Sequence, residues 1–262
     1  MLHLSKPEGR TEASVLHQNL PKAGPRAIVI IRIMPSQLSP AIRIALVGMS
    51  GTGKTFWAKR LAASGHQSIS CDDRIEERLR PHLAADGHTG TSGVAAWMGW
   101  PDSSTYAQRE SDYLAAEIAA LDELLTELER NPSRELVLDT TGSVIYTGNN
   151  VLMRLRRQMI IVYLAASAEE QQLLIKRYLT DPKPVLWRGA FQPKNGESPH
   201  ETVARCYPTL VAARRQSYEA LAHCTLPVAD LHSLSEKSGD ADAFLGRIRS
   251  QIEKKSGRAN GL

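Results

Sequence analysis

Residues 42–55 constrain this chain more than any other stretch, because Ile-Arg-Ile-Ala-Leu-Val at 42–47 runs directly into Gly48-Met49-Ser50-Gly51-Thr52-Gly53-Lys54-Thr55. A short apolar run of β-formers closed by glycines reads as a buried parallel strand. The octapeptide fits G-x-x-x-x-G-K-[ST] in full. Its glycines let backbone N–H groups turn inward around phosphate oxygens, and the helix predicted over Lys54–Ala63 points its positive N-terminus at them. In that frame Gly48, Ser50, Gly51, Thr52 and Gly53 cradle the phosphates of ATP. Lys54 bridges the β- and γ-phosphates, and Thr55 ligates Mg²⁺. A glycine-rich turn with an exposed lysine would need neither a strand before it nor a helix after it, and both are present in the pattern.

Downstream, strands and helices alternate. Short β-runs fall at 68–71, 135–139, 159–164 and 225–228, and helical patterns at 72–85, 168–179, 208–222 and 241–252. Leu114, Ile118, Leu121, Leu125 and Leu128 form one apolar stripe on a long helix that Asn131-Pro132 stops. Two stretches lack a period: a Gly/Thr/Trp-rich loop at 88–104 and a Pro/Gly/Lys-rich segment at 181–200. This order predicts an α/β domain at 41–253, a parallel sheet with helices on both faces, and a tail at 254–262. Residues 1–40, with Pro7, Pro21, Pro25, Pro35 and Pro40, read as a disordered extension, with Met34 a candidate for the true start.

Composition adds little except by exclusion. Cys71, Cys206 and Cys224 share no metal spacing and suit free thiols in a reducing cytoplasm. No apolar run approaches the ~20 residues of a membrane span. A net charge of +4 is as compatible with phosphate handling as with nucleic acid, and nothing else favours nucleic acid as a partner.

Several further residues carry candidate chemistry. Asp139 closes the strand Glu-Leu-Val-Leu-Asp, where a carboxylate can support Mg²⁺. Gly142, just beyond, allows a substrate close to the backbone. Asp72 leaves the second strand at the sheet's carboxyl edge, where it can orient an acceptor hydroxyl or merely cap the next helix. Arg177 sits late in the preceding helix and Lys183 near the start of the 181–200 segment, which could close over the phosphates and neutralise charge. Arg214 and Tyr218 share a helix face, and Arg109 and Glu110 open the long helix. Trp97 and Trp100 could wall an acceptor pocket or plug the domain edge.

In this order the motifs resemble the shikimate kinase family, within the nucleoside-monophosphate-kinase-like P-loop folds. Ser70-Cys71-Asp72 with Ile75-Glu76 looks like its D-x-D…I-E element, and Thr140-Thr141-Gly142-Ser143 stands where T-G-G-G would be. Lys183-Pro184-Val185-Leu186 is similar to its lid motif R-P-L-L, and Arg214 with Tyr218 to R-x-P-x-Y. The resemblance implies a three-layer α/β/α sheet in the order 2-3-1-4-5, an acceptor insertion near 72–130 and a lid near 180–200. With the phosphate loop it points to ATP- and Mg²⁺-dependent phosphorylation of a small molecule's hydroxyl, by a protein expected to be cytoplasmic and a monomer or weak dimer. Lys54, Asp72 and Lys183 would be catalytic; Arg177 would face ATP, and Arg109, Gly142 and Arg214 the acceptor.

Two positions depart from the family pattern. Ser70 replaces the first acid of D-x-D. Tyr106-Ala107-Gln108-Arg109-Glu110 aligns with F-R-x-x-E but puts Ala107 where the substrate arginine belongs. A shift of two residues to Arg109 turns the side chain about 200° round the helix. The pattern therefore points to an acceptor without a carboxylate, or to one held differently. Two rivals stand beside it: a kinase for nucleosides, nucleotides or RNA ends, and a nucleotide-binding regulator with no small-molecule turnover and a featureless 88–130 region.

Overall fold

In the computed structural model, which describes residues 42–235 and 240–259, five strands form one parallel sheet. They are β1 (Arg43–Val47), β2 (Ser68–Ser70), β3 (Leu136–Asp139), β4 (Ile160–Ala165) and β5 (Cys224–Pro227). Their order is β2-β3-β1-β4-β5, the one the sequence resemblance implies. In the register of the sheet, Leu46 and Ser70 both pair with Asp139. Three strands therefore end in one row and release their outgoing loops at a common carboxyl edge.

Alternation along the strands builds two cores. Ile44 and Leu46 face a layer containing Trp57, Leu61 and Phe244, with the Trp57 and Phe244 rings stacked at 4.4 Å. That layer holds α1 (Lys54–Ala63), α8 (Val228–Ser235) and α9 (Asp240–Ala259). Ala45 and Val47 face the larger layer, built on α2 (Cys71–Ala84), α3 (Gly90–Met98), α4 (Tyr106–Arg130), α5 (Asn149–Gln158), α6 (Ala168–Thr180) and α7 (Pro199–Leu221).

Several elements differ from the sequence-based expectations, for local reasons. Helix α3 lies inside the stretch expected to be a loop; Gly-Thr-Ser-Gly-Val-Ala-Ala-Trp-Met has no polar/apolar period, and packing of Val94, Trp97 and Met98 holds it. Helix α5 has no counterpart among the predicted elements. Helix α7 begins at Pro199 rather than Pro208, because Ser198 and Glu201 form a capping box and Pro199 occupies the first turn. Helix α9 continues to Ala259, through most of the predicted tail. The expectations for residues 1–40, including Met34 as the start, and for 260–262 lie outside the described residues. Among the described residues no helix is long and apolar enough to cross a membrane.

The segment predicted as a lid is anchored at its centre. Val185, Leu186 and Trp187 are buried. The Tyr106 hydroxyl donates to the Val185 carbonyl at 2.6 Å, and the Arg188 N–H donates to Glu110 at 2.9 Å. Only its flanks, at 181–184 and 188–198, are partly or fully exposed.

Candidate active site

The loop between β1 and α1 takes the shape its glycines demand. Gly48 has φ 145°, and a Cβ there would lie 2.8 Å from the Leu164 carbonyl oxygen. Any side chain would push the loop off β4. Gly53, at φ 92°, turns the chain into α1. The Thr52 hydroxyl donates to the Met49 carbonyl at 2.9 Å, bracing the loop from within. Lys54 is 7% exposed, and its ammonium donates to the carbonyls of Gly48 and Met49, at 3.0 Å each. Burial lowers its pKa, while Asp139 and Asp72 act against that.

Asp139, at the end of β3, is 5% exposed. Burial raises its pKa, opposed by Lys54 and by a hydrogen bond from the Thr55 hydroxyl. Thr55 and Asp139 thus present two hard oxygen donors side by side at the cleft. Mg²⁺ is commonly held by one or two protein oxygens plus water and phosphate, so this donor pair fits it. Among the described residues no cluster of three or more His, Cys, Asp or Glu could hold a metal by itself.

Asp72 sits in the first turn of α2, but it does not cap the helix. Ser70 does, its hydroxyl accepting the Asp73 N–H at 3.1 Å. The residue that departs from D-x-D therefore takes over the capping and leaves Asp72 facing the cleft. Burial pushes the Asp72 carboxyl up to about 6, Lys54 pulls it back, and Asp139 adds to the rise. The Tyr113 hydroxyl bonds it from α4.

Behind this pair lies a buried carboxylate absent from the residues proposed on sequence grounds. Glu117, one turn after Tyr113, is fully buried and accepts from the hydroxyls of Thr141 and Ser143, the latter at 2.6 Å. Burial pushes it up to about 7, against the pull of those two hydroxyls. Tyr106, Glu110, Tyr113 and Glu117 step by four, three and four along the buried face of α4. A glutamate on a buried helical stripe is the signal that could have found it. The leucine stripe is offset from that face, and its Leu114 and Ile118 are only half-buried.

A cleft of about 340 Å³ joins these parts, lined by residues 50, 51 and 53–56 with Asp72, Thr91, Tyr113, Asp139, Thr141, Gly142, Lys183 and Pro184. Of the residues proposed from sequence, Ser50, Gly51, Gly53, Lys54, Thr55, Asp72, Asp139, Gly142 and Lys183 meet there. Arg177, exposed on α6, stands beside the loop, 3.8 Å from where a Cβ on Gly51 would be. Lys183 pairs with Asp181 at 3.0 Å and reaches Ser92 of α3 at 3.4 Å.

The two remaining arginines are bonded to other parts of the protein. Arg214 is 2% exposed; it donates to the carbonyls of Gly142 (3.1 Å) and Leu186 (2.6 Å) and to the Tyr146 hydroxyl (3.3 Å). Tyr218 also donates to the Gly142 carbonyl. Arg109 donates to the Trp97 carbonyl and lies over that indole, closing α3 against α4 rather than lining the cleft. Trp97 is buried between His82 and Arg109, and half-buried Trp100 packs on Tyr178 and His200. Neither indole lines the cleft.

No protein-family model and no curated protein matches the chain. Solved structures do. A shikimate kinase from Acinetobacter baumannii, in complex with shikimate, is 23% identical over 82% of this chain and 94% of that one, with a TM-score of 0.50. A shikimate kinase from Bacteroides thetaiotaomicron is 18% identical, covering 81% and 98%, at a TM-score of 0.49. A gluconokinase from Sinorhizobium meliloti is 20% identical, covering 83% and 98%, at 0.39. Together with the strand order and the phosphate loop, the first of these places the chain on the shikimate kinase-like P-loop kinase fold.

Proposed function

We propose that this chain transfers the γ-phosphoryl group of ATP to a hydroxyl of a small molecule. The observation that carries the reading is the meeting of the phosphate loop, Asp139 and a non-capping Asp72 in one cleft. Residues 48–55 would hold the phosphates, with Lys54 leaving its loop carbonyls to bridge the β- and γ-phosphates and Arg177 beside them. Thr55 and Asp139 would hold Mg²⁺. When bound there, the ion would draw charge from the β- and γ-oxygens.

Asp72, oriented by Tyr113, takes the proton of the acceptor hydroxyl as its oxygen bonds to phosphorus and the bond to the ADP oxygen breaks. With a pKa near 6 its carboxylate is mostly ionised at neutral pH, as a base must be. Lys183, at the mouth of the cleft, stabilises the charge spread over the transferring group. Positioning and neutralisation carry most of the acceleration. Trp97 lies outside the cleft, whereas Trp100 lines a second cavity of about 250 Å³ that shares Lys183 and Pro184 with it, so a base-stacking acceptor stands as the second reading. The buried polar face of α4 counts against a regulator with a featureless 88–130 region.

The test is transfer of γ-labelled phosphate from ATP to an acceptor panel by wild type and Asp72→Asn. Loss of transfer with ATP binding retained is the expected result. Equal transfer by the two proteins would refute the role of Asp72.

A further inference from the structure

The charge on the acceptor side of the cleft narrows the substrate class, resting on the kinase reading of the same site. Each cation that could greet an acidic acceptor is already engaged. The Arg214 guanidinium is held by the Gly142 and Leu186 carbonyls and by Tyr146, buried beneath the loop that carries Gly142. A Cβ on Gly142 would come within 3.2 Å of that guanidinium, so the loop backbone lies directly against it. Arg109 is held at Trp97. Lys183, paired with Asp181, is taken up by the transferring phosphoryl group in the kinase reading. Position 107, on the exposed side of α4, is alanine.

The opposite sign is abundant. Asp72 faces the cleft, and Glu117 lies behind Thr141 and Ser143, bonded to their hydroxyls rather than to a cation. Tyr113, Thr91 and Thr141 supply hydroxyls at the wall. A carboxylate or phosphate bound here would sit in a partly desolvated chamber beside like charge, with no uncommitted cation among the described residues of that wall.

We infer that the acceptor is a hydroxyl compound carrying no negative charge, a neutral polyol or a protonated amino alcohol, gripped by Asp72 and the hydroxyls of Tyr113, Thr91 and Thr141. The acidic wall acts as a filter: hydroxyl donors and ammonium groups satisfy Asp72, whereas anions repel it.

The experiment measures kcat/KM of the full chain with ATP and Mg²⁺ on a panel sorted by charge. It includes the matched set gluconate, sorbitol and glucamine, which share a six-carbon polyol chain, together with shikimate and myo-inositol. Neutral or cationic members should exceed the acids by at least about a hundredfold. At about pH 8, above the value near 7 to which burial raises Glu117, Glu117→Gln should shrink that ratio about tenfold by removing the charge, whereas a purely structural role would lower both classes alike. An acid as the best acceptor would overturn the inference and leave the kinase reading standing. Failure of every member, with ATP binding intact, would overturn both together.

Discussion

On the side of the cleft proposed to hold the phosphate donor, one continuous stretch, residues 48–55, supplies the loop, the lysine and the threonine. On the acceptor side, Asp72, Tyr113, Thr141 and Lys183 arrive from α2, α4, the loop after β3 and the segment after α6. The donor wall is largely backbone: its geometry follows from where glycine is required, as at Gly48. The acceptor wall is side chain on side chain, and its properties depend on what lies one layer further back. Ser70 relieves Asp72 of capping, Glu117 accepts from the hydroxyls of Thr141 and Ser143, and Arg214 is bonded to the Gly142 carbonyl.

The largest effect should come from the donor wall. Lys54→Ala should lower kcat by about a thousandfold, measured by product formation at saturating acceptor. Near-normal turnover would remove Lys54 from the mechanism.

Next comes the brace between the walls. Arg214→Ala takes the side-chain donor from the Leu186 carbonyl and one of the two donors from the Gly142 carbonyl, and should cost about 3 kcal/mol of stability, read from denaturant unfolding. A loss below about 0.5 kcal/mol would mean that Arg214 is not structural and is available to ligands after all.

Acceptor-side chemistry should show in a pH profile. Asp72 must be ionised to accept a proton, so kcat/KM should rise as its carboxyl titrates near pH 6. Between pH 7 and pH 5 the wild type should lose about tenfold. Asp72→Asn should be slower by about a hundredfold at neutral pH and flat across that range. A variant that keeps the wild-type slope would assign the titration to another group.

The smallest effect separates Glu117 from its surroundings. Its pKa is raised on folding from 4.5 to about 7, so the folded state binds its proton more tightly than the unfolded chain. That contribution is fully present below about pH 4.5 and is lost as pH rises towards 7. Between pH 5 and pH 7, the stability of wild type relative to Glu117→Gln should therefore fall by about 2 kcal/mol. Parallel stability curves for the two proteins would show that Glu117 is not held in the way described.

The phosphate loop and Asp139 are legible in the sequence because each rests on neighbours along the chain: a strand must precede the loop, a helix must come after it, and an acid at a strand end needs only that strand. The sheet order pairs strands far apart in the chain, and it is expected only from the family resemblance. Asp72 is legible as a candidate. That it is not the helix cap is evident only from Ser70 accepting the Asp73 N–H. Helix α3 is hidden because small residues carry no amphipathic period, and the start of α7 because the capping box at Ser198 lies inside a stretch without a period.

The sequence by itself determined the donor half of this protein, since backbone conformation and hydrogen-bond geometry at residues 48–55 are set locally by glycine, lysine and threonine. The tertiary structure alone decided the acceptor half. Whether Arg214 meets a ligand or the Gly142 carbonyl, and whether Glu117 is solvated or sealed behind Thr141 and Ser143, depends on packing between elements far apart in the chain. Burial and partner choice fix the charge that a side chain offers, and neither is encoded at the residue itself.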